Sequence, residues 1–172
     1  MKLSMHAMAI ESFVPMLESL SEILGKGREG ESGIYLVDAR LAPDMYTLAQ
    51  QVRLACDHAK DGAARLAGLL APRFADDEKS LEALQGRIAQ TVGYLKGLAP
   101  SAFAGAEDRD SSIALGGGKI IAMDGLQFLR LWALPHFYFH VVTAYGILRH
   151  NGVAIGKRDY MSYIGAFIRD AA

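Results

Sequence analysis

The sequence predicts an all-α protein: an up-and-down four-helix bundle with a small β-hairpin before the last long helix and a short C-terminal helix. Three observations support this fold class. Four long segments repeat apolar residues at helical spacing, the links between them are of moderate length, and 51% of the 172 residues are apolar against 22% charged. Because no linker or internal repeat divides the chain, we expect a single domain over residues 1–172.

The first two predicted helices occupy the N-terminal part of the chain. Apolar residues recur at helical spacing over about residues 3–24, and the glycine-rich run GKGREGESG ends that pattern. After an irregular link, Asp44 is a suitable N-cap for a second helix over about residues 45–70, which Pro72 stops. The many alanines of this second helix predict close packing against a neighbouring helix.

The remaining elements follow from similar patterns. The run ADDEKS is expected to open a third helix with acidic residues in its first turn, and that helix extends to about Lys96. Two short extended runs around three glycines in SSIALGGGKIIAM predict a hairpin. The last long helix covers residues 124–150, with a kink or a fresh start expected at Pro135, and a short helix over about residues 158–168 ends the chain.

Charge and composition exclude several classes of function. Lys plus Arg total 18 and Asp plus Glu total 19, so no net field attracts nucleic acid or an anionic membrane. The longest apolar stretch is interrupted by histidines, and the N-terminus lacks the apolar core of a signal peptide, so we expect no membrane span and a cytoplasmic location. Cys56 is the only cysteine, and its helical surroundings predict a buried, unreactive thiol.

Other candidate motifs fit structural roles better than catalytic ones. The triglycine of GGGKI is followed by extended sequence rather than by a helix, which favours a hairpin turn over a phosphate-binding loop. Asp76 and Asp77 are expected to form a solvated helix end. The sequence therefore names no catalytic residue.

The histidines are the remaining candidates. His136 and His140 lie four residues apart, about 40° around a helix, so one ion can contact both. His150 lies about 280° further around and belongs to another face. A third ligand must come from another helix, and His58 on the second helix is the best placed. The alternative is structural: His136 satisfies a carbonyl group freed by Pro135, and His140 forms a hydrogen bond inside the core.

Two stretches carry a resemblance to a known superfamily. DARLAPDMYTLAQQVRLACDHAKDGAARLAG and ALPHFYFHVVTAYGILRHNGVAIGKRDYM resemble the DinB/YfiT-like four-helix proteins, and more closely a bacterial branch known as a domain of unknown function. The resemblance implies a helical bundle, often dimeric. It also implies a three-histidine site for a divalent ion such as zinc or nickel, with thiol-dependent transferase or isomerase chemistry in some members. Carried over by position, the ligands are His58, His136 and His140.

Two functions therefore stay open. In the first, the protein is a divalent-metal-dependent transferase or hydrolase, whose ion polarises a water or thiolate in a pocket between helices. Arg53, Tyr138 and Tyr145 either line such a pocket or serve helix packing. In the second, the protein is a non-catalytic homodimeric bundle that binds a small apolar ligand or a protein partner, and its histidines are structural.

Overall fold

Four long helices form the body of the protein in the computed structural model, which describes residues 4–27 and 35–171. The elements are, in chain order, α1 (Met5–Leu24), α2 (Leu48–Ala67), α3 (Leu81–Gly97), β1 (Ile113–Gly116), β2 (Lys119–Ile121), α4 (Gly125–Phe128), a π-helical turn (Leu129–Ala133), α5 (Leu134–His150) and α6 (Lys157–Tyr160). Three 3₁₀ turns span Leu36–Asp38, Pro100–Phe103 and Ser162–Phe167. The predicted all-α bundle with a hairpin before the last long helix and a short C-terminal helix is confirmed.

The second and third long helices run in the same direction. Asp57 on α2 accepts a hydrogen bond from the Arg87 guanidinium of α3 at 3.0 Å. One turn further along α2 lies Asp61. Burial and then the charge of Asp61 raise the pKa of Tyr94, which lies two turns beyond Arg87 along α3. Contacts that advance together along both helices show that they are parallel. This connectivity requires the extended link of residues 68–80 to cross the length of the bundle.

The first helix is antiparallel to α3. Glu18 of α1 pairs with Lys96 at 2.7 Å, whereas Ser21, later in α1, accepts a hydrogen bond through its carbonyl oxygen from Gln85, earlier in α3, at 2.9 Å. The fourth long helix, α5, is antiparallel to α2, as its histidine contacts show below. The four long helices therefore run up, down, down and up, which refines the simpler up-and-down description.

The second helix is shorter at both ends than its sequence pattern predicts. Thr47, not Asp44, is the N-cap: its hydroxyl accepts from the Gln50 amide N–H at 3.3 Å, while the Gln50 side chain accepts from the Thr47 N–H at 2.9 Å. This reciprocal capping box outcompetes the earlier candidate. Gly68 ends the helix in the left-handed conformation, φ 70°, before Leu70 and Pro72 are reached.

The third helix begins later than the sequence predicts, because the acidic residues before it pair with a buried arginine instead of forming its first turn. Ser80 is the N-cap, and the acidic residues of ADDEKS lie ahead of the first turn. Asp76 and Glu78 pair with the Arg87 guanidinium at 3.1 and 2.9 Å. Glu78 also accepts a hydrogen bond from Arg53 at 2.6 Å, so these ion pairs fix the α2–α3 link against both helices.

The hairpin and the start of the last long helix confirm two sequence expectations. Strands β1 and β2 pair antiparallel, and the three glycines at 116–118 turn between them with φ values of 80°, 58° and 75°. The kink or fresh start expected at Pro135 takes the form of a π-helical turn immediately before α5. Pro135 itself lies in the first turn of α5. The chain therefore widens one helical turn rather than breaking.

The C-terminal helix predicted over residues 158–168 is split. Met161 leaves the helical region, with φ −115° and ψ 42°, and separates α6 from a 3₁₀ turn. The predicted helix start at Leu3 and most of the GKGREGESG run lie outside the described residues. Among the helices that are described, none combines the length and the apolar character needed to cross a bilayer.

Candidate functional site

The three histidines singled out by the sequence meet between α2 and α5. The ring centroid of His58 lies 4.8 Å from that of His136 and 5.3 Å from that of His140, with interplanar angles of 26° and 11°. His58 therefore stacks against both rings of the other helix. We call these three residues the histidine cluster.

Small residues bring the two helices close enough for this contact. The stripe of alanines on α2 is fully buried, with Ala55, Ala59 and Ala63 each 0% exposed. A methyl group added at Gly62 would lie 3.2 Å from the Ala133 side chain, so the backbones approach closely there. The predicted packing role of the α2 alanines is confirmed, and it positions His58 opposite α5.

A buried glutamine anchors the first ring of the cluster. The His140 Nδ1 lies 2.7 Å from Oε1 of Gln51, which is 1% exposed. The Gln51 amide nitrogen donates to the Tyr46 carbonyl at 3.4 Å, so its oxygen faces the histidine. His140 Nδ1 therefore carries the proton and donates, which leaves the Nε2 lone pair free. Second-shell acceptors of this kind orient metal-binding histidines.

A backbone carbonyl anchors the second ring. His136 Nδ1 donates to the Trp132 carbonyl oxygen at 2.8 Å, and the two rings lie with centroids 4.3 Å apart. A carbonyl oxygen only accepts, so the Nδ1 of His136 is also protonated and its Nε2 is free. This hydrogen bond reaches back to the π-helical turn, the type of contact that a purely structural role for His136 also predicts.

Burial keeps two of the rings neutral. The pKa of His58 falls to about 4, first through burial and then through the nearby His136 and His140. The pKa of His140 also falls to about 4, through burial and then through His136. Both rings are therefore uncharged at neutral pH. A neutral imidazole is the form that binds a metal ion.

The donor set fits a divalent ion in type and spacing but is not fully assembled. With metal–nitrogen bonds of about 2.1 Å, imidazole centroids lie roughly 3 Å from an ion and roughly 5 Å from one another. The measured centroid distances of 4.8 and 5.3 Å match that spacing. Within residues 4–27 and 35–171, however, no three His, Cys, Asp or Glu side chains already stand in coordinating positions.

One ring must therefore turn for three nitrogens to converge. His136 and His140 are held by their Nδ1 hydrogen bonds. The ring of His58 stacks on both of the others but makes no hydrogen bond to any described residue, so its rotation breaks no hydrogen bond.

A pocket of about 200 Å³ opens beside His58. One wall comes from α2 and the other from α4 and the π-helical turn, and its principal lining residues are His58, Asp61, Arg65, Ile113, Phe128 and Trp132. We call this space the histidine pocket. It places the unanchored ring of the cluster next to a space of small-molecule size.

Comparison with known proteins agrees with this architecture. The pattern of the family described as "Domain of unknown function (DUF1993)" matches residues 5–161. The chain belongs to this family. A DinB family member protein from Shewanella denitrificans is similar in structure, with a TM-score of 0.81 at 40% identity over 91% of this chain and 90% of that one. The comparison with curated proteins finds no match.

Other predicted candidates of this DUF1993 chain lie away from the cluster. His6, in the first turn of α1, contacts Phe103 of a 3₁₀ turn, and His150 is exposed at the end of α5. Cys56 is fully buried, and burial raises the pKa of its thiol to about 12. It is therefore the unreactive thiol that the sequence predicts.

The three candidate pocket residues serve packing. Arg53 bonds to Glu78, and Tyr138 and Tyr145 contact neighbouring aromatic rings. None of these three side chains lines the histidine pocket.

Four residues important to this DUF1993 site were missed from the sequence. Gln51 and Trp132 anchor the rings, and Asp61 and Arg65 line the pocket. The spacing of His58, Asp61 and Arg65, three and then four residues apart, places them on one face of α2 and was the available signal. Gln51 lies seven residues before His58, on the same face.

Proposed function

We propose that this DinB-like bundle protein binds a divalent metal ion, zinc or nickel, through His58, His136 and His140, and acts as a transferase or hydrolase in the histidine pocket. The observation that carries the proposal is the pair of Nδ1 hydrogen bonds on α5, to Gln51 and to the Trp132 carbonyl. Each bond fixes a ring and leaves its Nε2 directed elsewhere as an acceptor.

The chain's own residues supply the remaining requirements of a site. Burial lowers the pKa of His58 and of His140 and holds these two imidazoles neutral, so protons do not compete for their nitrogens at pH 7. When bound, a divalent ion with an open position lowers the pKa of a coordinated water or thiol and polarises a substrate carbonyl. Phe128 and Trp132 supply apolar walls to the pocket.

Metal analysis of protein purified without a histidine tag tests the proposal. After incubation with zinc or nickel and removal of excess ion, mass spectrometry should find about one ion per chain, because the cluster offers one three-nitrogen site. The matched pair of variants is His140→Ala in the cluster and His150→Ala at the exposed end of the same helix. The first should lose the ion and the second should retain it. Substoichiometric metal that His140→Ala does not change would reject the site.

A structural role for the histidines is the second candidate, and one observation favours it. The Nδ1 atoms of His136 and His140 already make hydrogen bonds, and stacking on His58 fills the space between the helices without an ion. In that case the protein is a non-catalytic bundle that binds a small apolar ligand or a partner. His136→Asn should then leave stability and ligand binding nearly unchanged, whereas the metal site requires that it lose the ion.

We also propose that the protein is a homodimer and is cytoplasmic. Leu131, Phe139 and Val142 are 67%, 58% and 51% exposed and lie on the outer side of the π-helical turn and α5, which supports burial of this stripe against a second copy. The unpaired thiol of Cys56 suits a reducing compartment. Light scattering should give twice the chain mass for the wild type and a lower mass for Phe139→Lys. An unchanged monomeric mass in both would reject the dimer.

A further inference from the structure

Asp61 and Arg65, two charged residues that line the histidine pocket, differ in their ion pairing. Asp61 forms an ion pair with the Lys60 ammonium, and Lys60 is itself buried at 4% exposure. Arg65, one turn further along α2, makes no ion pair of 4.0 Å or less with any residue that the structure describes. The Asp61 carboxylate therefore has a cationic partner in direct contact, whereas the Asp110 carboxylate, which interacts with Arg65 electrostatically, lies beyond ion-pair distance and leaves the guanidinium donors open.

Neighbouring groups hold Arg65 at the mouth of the pocket. One of its terminal nitrogens donates to the Ser112 carbonyl oxygen at 2.9 Å. The centre of the guanidinium lies 5.5 Å from the centroid of the Phe128 ring. These two contacts use one N–H and one face of a group with five N–H donors, so a forked pair of donors remains for a ligand.

From this arrangement we infer that the histidine pocket binds a small anionic ligand, whose carboxylate or phosphoryl group pairs with Arg65 and whose body extends along Trp132 toward His58. A planar guanidinium with free donors matches both of these oxyanions. Seven residues of helix separate Arg65 from His58, a rise of about 10 Å, which the two side chains shorten. This inference names the substrate class of the proposed site, but binding at Arg65 requires no metal ion.

The size of the pocket restricts the ligand. Its volume of about 200 Å³ lies below the roughly 300–1,000 Å³ that is usual for pockets that bind drug-sized ligands. The close approach of Gly62 to Ala133 closes the inner end. The ligand is therefore a small acid or a small phosphate ester rather than a long acyl chain or a nucleotide.

Fluorescence of Trp132 gives a direct assay, because it is the only tryptophan and it lines the pocket. The probes are propionate, inorganic phosphate and the neutral analogue propanamide, titrated against full-length protein in EDTA. At least one anion should give a saturable change that propanamide does not. Arg65→Met should weaken that binding about tenfold or more, the loss of one charge-assisted bidentate contact. The control Arg130→Met removes a nearby exposed arginine that does not line the pocket, and should bind as the wild type does.

The outcomes separate this inference from the metal proposal. Saturation by propionate assigns a carboxylate, saturation by phosphate assigns a phosphoryl group, and either supports the inference if Arg65→Met weakens it. Linear responses to all probes, or equal binding by wild type and Arg65→Met, would overturn it. Titration of His140→Ala completes the design: anion binding retained in this variant, together with failure of the wild type to bind metal, would reject the ion and keep the anion site.

Discussion

Lowering the pH from 7 to 5 should weaken the metal-free fold, because two rings of the histidine cluster stay neutral in the folded chain. The pKa of His58 and of His140 is about 4 in the folded protein, against about 6.5 for an exposed histidine. Between these values the unfolded chain binds protons that the folded chain does not. Stability is therefore complete above about pH 6.5 and is lost as the pH falls toward 4.

The size of the loss follows from the two pKa values. If they apply in full, one ring contributes at most about 1.8 kcal/mol between pH 7 and pH 5. His58 borders a pocket that is open to solvent, which screens its charge, so we expect about 1–3 kcal/mol for both rings together. Ordinary carboxylates titrate near pH 4, so ending the range at pH 5 keeps most of them out of the measurement.

Urea unfolding in EDTA at pH 7, 6 and 5 measures this free energy. The quantity compared is the change with pH, because each substitution also alters the absolute stability. The double variant His58→Gln/His140→Gln should lose much less stability over this range than the wild type. The control His150→Gln, exposed at the end of α5, should follow the wild type. An equal loss in the double variant and the wild type would refute the assignment of the pH dependence to the cluster.

Other expectations concern packing and the buried polar groups. Gly125→Ala should destabilise the fold by about 2 kcal/mol or more, because the added methyl would lie 1.8 Å from the Ala106 carbonyl oxygen. Gly86→Ala, whose added methyl meets nothing within 4 Å, should instead stabilise α3 by up to about 1 kcal/mol. Chemical denaturation measures both changes, and equal effects of the two substitutions would contradict the geometry. Arg87→Met should cost about 3 kcal/mol in the same assay by leaving its carboxylate partners unpaired, and a neutral result would show that the network contributes little. Cys56 should react with a disulfide reagent only on unfolding, since the pKa of its buried thiol is about 12; rapid labelling of the native protein would contradict this.

The helices were predictable because their apolar spacing is strong, while their ends depended on competition between nearby signals. Asp44 and Thr47 are both good N-caps, and the reciprocal bonds of Thr47 with Gln50 decided between them. The acidic residues before α3 suit a helix N-terminus equally well, but Arg87 captures them. That pairing joins residues brought together only by the folded bundle, so no local pattern reveals it.

The candidate site was predictable in part for a similar reason. Helical spacing placed His136 and His140 on one face, and the alanine stripe of α2 indicated that His58 would meet a packed neighbour. The anchoring by Gln51, 89 positions away from His140, depends on tertiary structure. The signal for Arg65, its place on the same face of α2 as His58 and Asp61, is weak, because an arginine on a helix surface is ordinary until the folded chain shows no ion-pair partner for it among the described residues.

The most direct test of the metal proposal is a crystal structure of the untagged protein grown with zinc, with diffraction recorded on both sides of the zinc absorption edge. We expect one anomalous peak about 2.1 Å from the Nε2 atoms of His136 and His140 and from a nitrogen of a rotated His58 ring. The Nδ1 hydrogen bonds to Gln51 and to the Trp132 carbonyl should be unchanged. Rings that stay stacked with no anomalous peak between them, at saturating zinc, would contradict the proposal.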